Sequence, residues 1–340
     1  MRYASFLKKQ DTIGLVAPSF GVSGYPYQER FEHACKKFTN LGYKIKQSEC
    51  LYGIDKAASA PSKVRAEQFM QMYLDLDTDF IISVAGGELM MSILTYIDFD
   101  TLKYAKPKYF MGYSDNTNLV FTLPILTDTA AIYGSNFGSF GMANWDKSLQ
   151  ECYDLITGKR KEFSSYEQYE INDLSHQEGK ALCGYNLEAK VEYKTLDGKD
   201  VDIKGRLVGG CLDILVSLCG TKYGQVEKFI DKYQDDGFIW FLEACDLNVL
   251  AQSRALWQLR QAGWFKYCKG ILYGRAVHSD DCFGYTLVDA LKDNLADLNI
   301  PIVYGCDFGH IPPSWTLIAG SVAHFTLQED RAQIEFELKQ

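Results

Sequence analysis

The chain has 340 residues, 47% apolar and 23% charged, an ordinary composition for a folded enzyme and long enough for two modest domains or one large one. Its net charge of −9, with 44 acidic against 35 basic side chains and no Lys/Arg cluster beyond a few residues, argues against nucleic acid or an anionic membrane as a partner. No apolar run approaches the ~20 residues that cross a bilayer. The opening MRYASFLKKQDTIGLV shows neither a long apolar stretch nor a small-residue cleavage site, so a cytoplasmic protein is expected.

In chain order, TIGLVAP is a short apolar run closed by a proline, the pattern of a buried parallel strand opening into a loop at Ser19 to Gly24. YQERFEHACKKFTNLG sets Phe31, Ala34, Cys35 and Phe38 on one helical face and stops at Gly42. YKIKQ suits a second strand, and SAPSKVRAEQFMQMYLD a helix with Pro61 near its start. DFIISVAGG is an apolar strand running into two glycines, ELMMSILTYI a helix, PKYFMGYSD the next strand and TAAIYGSNFG a fifth. Strands alternating with helices imply a parallel sheet covered on both faces. The segment GKRKEFSSYEQYEINDLSHQEGK is polar and aperiodic, and reads as a linker or surface excursion. VEYKTLDGKDVDIKG reads as a hairpin turning at Asp197-Gly198. A second β/α series follows: RLVGGCLDILVSLCGT (turn, then helix), GFIWFLEAC (strand), NVLAQSRALWQLRQAG (helix), GILYGR (strand), YTLVDALKDNLADL (helix) and PIVYGCDFGH (strand, then loop). SVAHFTLQEDRAQIEFEL alternates as a closing hairpin. The expected partition is an N-terminal α/β domain over 1–165, a linker or excursion over 166–185 and a C-terminal β/α domain over 186–340.

Three residues share one placement, at or just past the C-terminal end of an apolar strand. Ser114 follows YFMGY, Glu243 ends FIWFL and His310 follows IVYGCDFG. That edge is where ligands and catalytic groups collect in α/β sheets, and the chain order Ser, Glu, His is that of α/β-hydrolase triads. A serine hydroxyl becomes a useful nucleophile when a base takes its proton. Histidine does so near neutral pH, and a carboxylate fixes the imidazole tautomer. The N–H of Asp115, at the start of the following helix, and an N–H from Gly86-Gly87 could face an oxyanion. Each feature has a plainer reading. Ser114 could simply cap a helix, and Asn116 stands where G-x-S-x-G has its last glycine. Glu243 could be a solvated strand end, His310 a stiffening loop residue and Gly86-Gly87 a bare turn. His278 in GRAVHSDD is the best competing base, and Cys245 or Cys306 a competing nucleophile. The ten cysteines form no C-x-x-C and none lies at zinc-ligand spacing from a histidine, so they read as small core residues of a reducing compartment. Neither H-E-x-x-H nor G-x-x-x-x-G-K-[ST] occurs, so neither a metal site nor a P-loop is indicated.

The stretches AGGELMMSILTYIDFD, KPKYFMGYSDNTNL, GRLVGGCLDILVSLCGT, FIWFLEACD and DFGHIPP…LIAG, in that order and spacing, resemble the serine peptidases that include LD-carboxypeptidases and microcin C self-immunity proteins. The resemblance covers nearly the whole chain. It implies a flavodoxin-like N-terminal domain carrying the nucleophile Ser114 and a C-terminal swivelling β/α domain carrying Glu243 and His310. It further implies an oxyanion hole from the N–H groups of Gly87 and Asp115, no cofactor, and a homodimer. The implied substrate is a small peptide or a peptidyl- or aminoacyl-nucleotide cleaved at an amide bond. ILTYIDFDTLKYAKPKYFMGYSD is more similar to the immunity branch. Removal of D-alanine from murein tetrapeptides is the alternative within the family. Asp246 and Leu247 occupy positions where a phosphate would call for basic residues, so a peptide-only substrate stays open. A non-catalytic two-lobed small-molecule-binding protein is the alternative from another class, predicting tight binding without turnover.

Overall fold

A computed structural model describes residues 1–339. The first half alternates as its apolar pattern predicts: β1 (Thr12–Val16), α1 (Tyr27–Asn40), β2 (Lys44–Gln47), α2 (Ser62–Leu74), β3 (Phe80–Ser83), α3 (Phe99–Tyr104), β4 (Phe110–Gly112), α4 (Thr117–Thr127), β5 (Ala131–Tyr133) and α5 (Lys147–Ile156). ELMMSILTYI is helical in the tighter 3₁₀ form over Met90–Tyr96. Short strands β6 (Glu162–Ser164), β7 (Gln168–Glu170), β8 (Leu187–Lys190) and β9 (Lys194–Thr195) follow. The second series is β10 (Val201–Cys211), α6 (Leu212–Leu218), α7 (Glu227–Lys232), β11 (Phe238–Glu243), α8 (Val249–Gln261), β12 (Cys268–Gly274), α9 (Leu287–Leu295), β13 (Ile302–Cys306), β14 (Leu317–Ala319), β15 (Val322–Gln328) and β16 (Arg331–Glu337).

Two sheets organise these elements. The first has six strands in the order β14-β5-β4-β3-β1-β2, parallel except for β14. Without that edge strand it is the 2-1-3-4-5 order of flavodoxin-like folds. The second has eight strands, β6-β16-β15-β10-β11-β12-β13-β9, with β10 to β13 parallel at its centre. The fold is therefore the expected pairing of a flavodoxin-like α/β unit with a second β/α unit. The sheets also exchange edges: β14, late in the chain, pairs with β5, whereas β6 pairs with β16.

Two local expectations are corrected. The segment around Asp197-Gly198 turns, with Gly198 in the left-handed region (φ 71°), but its arms do not pair. β9 hydrogen-bonds to β13 and β10 lies between β15 and β11, because a two-residue polar strand gains more from an open sheet edge than from its sequence neighbour. RLVGG is not a turn. β10 runs through it to Cys211, with Gly209 and Gly210 at φ 149° and 145°. A Cβ on Gly210 would stand 2.5 Å from the Thr117 methyl, so glycine is what lets α4 lie against the strand.

Helix α4 explains how the two halves meet. Its apolar residues point in every direction, and nine of its eleven residues are buried. Phe121 stacks on Trp264 at 5.0 Å and meets Trp240 at 6.2 Å, while Thr117 Oγ1 accepts the Cys211 N–H at 3.0 Å. The helix that follows Ser114 is thus clamped between the first sheet and the second.

Candidate active site

β4 delivers the nucleophile candidate. Its strand ends at Gly112, Tyr113 is extended, and Ser114 adopts φ 66°, the left-handed region that side-chain-bearing residues seldom occupy. This is a strand-to-helix elbow, which pushes the Ser114 side chain off the sheet edge. Asn116, in place of the motif's last glycine, ties the elbow down. Its amide donates to the carbonyls of Ala85 (2.9 Å) and Tyr113 (3.0 Å) and to Asn136 Oδ1 (3.1 Å). The bond to Ala85 ties the elbow to the Gly86-Gly87 loop. A Cβ on Gly86 would sit 3.0 Å from Ser114 Oγ, so the glycine pair borders the hydroxyl directly.

The partners arrive from the second sheet. Glu243 ends β11 and is fully buried. His310 sits in the loop after β13, which Arg275 braces. The Arg275 guanidinium pairs with buried Asp307 and donates to the carbonyls of Ile311 (2.9 Å) and Pro313 (2.8 Å). Gly309 (φ 108°) lets this loop press on Glu243, where a Cβ would come within 2.9 Å of the carboxylate. The result is a line of hydrogen bonds: Ser114 Oγ to His310 Nε2 at 2.8 Å, and His310 Nδ1 to Glu243 Oε2 at 2.8 Å. The His310 ring also meets the edge of Tyr113 at 5.2 Å.

The electrostatics fit a buried relay. Burial works against a charged His310, but the Glu243 carboxylate, with smaller help from Cys245 and Tyr113, outweighs it and holds the imidazole well above its usual range. For Glu243, burial favours the neutral acid, and His310, Tyr133 and Cys211 together overcome it, leaving the carboxyl below its usual range. Asp115 is buried too. Its carboxylate accepts from Ser19 Oγ, the Met90 N–H (2.8 Å) and Asn118 Nδ2 (2.9 Å), and so fixes the loop beyond the glycine pair. Among the described residues no hydrogen bond takes up the backbone N–H of Asp115 or of Gly87. Gly87 lies at φ 145°.

The other candidates fall away. His278 is exposed, and only its carbonyl is engaged, by Gln252. His33, His176 and His324 contact the Gly141 carbonyl, Asp173 and Asp202. Burial raises the thiol pKa of Cys245, and raises that of Cys306 well beyond its usual range, the reverse of an activated thiolate. Cys211, Glu243 and His310 do present donor atoms within 4.8 Å of one another. Both His310 nitrogens are already bonded within the relay, however, and burial keeps the Cys211 thiol protonated, directed at Asp213 Oδ2 (3.3 Å).

A cleft opens beside His310, lined by Arg30, Tyr113, Ser135, Glu170, Tyr185 and Trp315 among others. The polar excursion therefore forms part of the cleft wall. Arg30 anchors it through the carbonyls of Ala181 (2.5 Å) and Cys183 (3.1 Å). Arg30, Glu170 and Tyr185 carried no signal in the sequence. Only its strand-end position, on the same sheet edge as Ser114, could have marked Tyr133.

A serine on a strand-to-helix elbow, an imidazole and a buried carboxylate in line is the geometry of the serine-hydrolase class. Models of the LD-carboxypeptidase N-terminal domain and the LD-carboxypeptidase C-terminal domain match residues 13–134 and 204–325, and the chain belongs to this family of serine peptidases. The microcin C7 self-immunity protein MccF of Escherichia coli is 25% identical over 327 residues, covering 91% of this chain and 89% of its own. A solved structure of MccF holds glutamyl sulfamoyl guanosine and superposes with TM-score 0.82 at 22% identity over 99% of both chains. A Bacillus subtilis protein described as a probable murein peptide carboxypeptidase is 24% identical over 332 residues, 97% of this chain and 93% of its own. The crystal structure of an MccF-like protein from Bacillus anthracis matches with TM-score 0.85 and 24% identity over the full length of both chains.

Proposed function

We propose that this peptidase cleaves an amide bond of a small peptide or of a peptidyl- or aminoacyl-nucleotide, with Ser114 as nucleophile, His310 as general base and then acid, and Glu243 as its orienting carboxylate. The observation that carries the reading is the unbroken line Ser114 Oγ–His310–Glu243 with 2.8 Å at each step. His310 Nε2 takes the hydroxyl proton as Oγ bonds to the scissile carbonyl carbon. The carbonyl oxygen gathers negative charge and meets the N–H groups of Asp115 and Gly87. The C–N bond then breaks, and its electron pair takes the proton from His310, releasing an amine. Water, deprotonated by the same imidazole, adds to the acyl-enzyme and returns Ser114 as the acid product leaves.

Aminoacyl-nucleotide substrates are the reading that MccF, with its bound glutamyl sulfamoyl guanosine, supports. A specific observation favours the second reading, carboxypeptidase action on murein peptides. Glu88 and Asp246 are exposed neighbouring carboxylates, and partial burial, then the charges of Asp246, the buried Asp115 and Asp213, raise the Glu88 carboxyl pKa. An acidic flank repels a phosphate and suits the ammonium of a peptide. Incubating the protein with glutamyl sulfamoyl adenosine and with a murein tetrapeptide ending in D-alanine separates the readings. Release of free glutamate supports the first, and release of D-alanine the second. Turnover of either that persists in Ser114→Ala contradicts the mechanism.

A further inference from the structure

We infer that Tyr133 is a positioning residue of the relay, joining the backbone of the nucleophile to the carboxylate that orients His310. The inference rests on the serine-hydrolase reading above. Tyr133 ends β5, the strand beside β4, and is buried. Its hydroxyl donates to Glu243 Oε1 and accepts the N–H of Ser114 at 3.3 Å. With the two bonds of the triad this closes a ring: Ser114 N–H to Tyr133, Tyr133 to Glu243 Oε1, Glu243 Oε2 to His310 Nδ1, and His310 Nε2 back to Ser114 Oγ.

Three consequences follow from the ring. The Ser114 N–H has a partner inside it, which helps to hold the left-handed elbow and leaves Asp115 and Gly87 as the oxyanion donors. With Oε1 tied, the Glu243 carboxylate cannot rotate, so Oε2 stays aimed at Nδ1 and selects the tautomer that leaves Nε2 free to accept the serine proton. The ring also spans both sheets, because β5 belongs to the first and β11 to the second. Tyr133 itself keeps its proton throughout: burial, then the charge of Glu243, places its hydroxyl pKa far above the usual tyrosine range. It acts through Glu243 and touches no reacting atom.

The test is the rate at which a fluorophosphonate probe labels Ser114, followed from pH 5 to 10 in wild type and Tyr133→Phe. The phenylalanine keeps the ring packed on Phe241 (centroids 5.4 Å) and removes only the hydroxyl. Without that donor more negative charge on Glu243 faces His310, so the imidazolium is favoured. Labelling of Tyr133→Phe is expected to fall about 10- to 100-fold, consistent with the penalty for a slightly misplaced catalytic group, and its acid limb to move to higher pH. Direct titration of His310 by NMR in the folded variant should show the same upward shift, which mere loosening of the fold would not produce. Labelling within threefold of wild type, or an unmoved acid limb and His310 titration, would overturn the inference while leaving the serine reading intact. Wild-type protein that does not label at all would overturn both.

Discussion

At the scale of single residues, the candidate site is built around the fully buried carboxylate of Glu243. In the proposed mechanism His310 must be neutral to accept the serine proton, and Glu243 holds its pKa above the ordinary value of about 6.5. Activity should therefore rise as pH increases through that raised value, giving an acid limb above pH ~6.5. Replacing Glu243 by Gln removes the negative charge, so the limb should move to lower pH while kcat falls by about 10⁴, as when the triad carboxylate is neutralised in other serine hydrolases. A pH–rate profile of the two proteins tests this, and an upward move of the limb would contradict it. Ser114→Ala should lose on the order of 10⁴ to 10⁶ in kcat, and a loss under tenfold would refute the nucleophile assignment.

The elements show what was legible in the sequence and what was not. The Ser114 elbow was legible because an apolar strand, a G-Y-S-D corner and a helix are all local signals. Glu243 and His310 were legible as strand ends. The turn at Asp197-Gly198 was legible too, but the partner of β9 was not, because pairing with β13 is decided by an open edge more than a hundred residues away. The run through Gly209-Gly210 misled because glycines signal turns, whereas these serve the approach of α4. The cleft wall made by the excursion had no periodicity to read. The His310 loop carries a prediction of its own. Arg275 and Asp307 form a buried pair, and the same guanidinium holds the carbonyls of Ile311 and Pro313. Arg275→Met strands a buried carboxylate and should cost about 3–5 kcal/mol. Urea unfolding midpoints at unchanged m-value would measure it, and a loss below about 1 kcal/mol would show that Tyr193 and the Tyr166 N–H suffice for Asp307.

For the whole molecule, the site exists only where two sheets meet, since Ser114 and Tyr133 come from one and Glu243 from the other. Helix α4, buried between them, makes that junction apolar and stiff. Phe121→Ala should cost about 3–5 kcal/mol and weaken both halves together. Fluorescence of Trp240 and Trp264 and amide exchange in β3 and β4 should then shift at the same denaturant concentration, and separate transitions would show that the halves fold independently. Among the described residues no helix is long and apolar enough to cross a membrane. The measurement that bears most directly on the central claim is fluorophosphonate labelling followed by peptide mapping, on wild type and His310→Ala. A single label on Ser114 that is lost in the variant is the predicted result. A label elsewhere, or one on Ser114 that persists undiminished without His310, would contradict the triad.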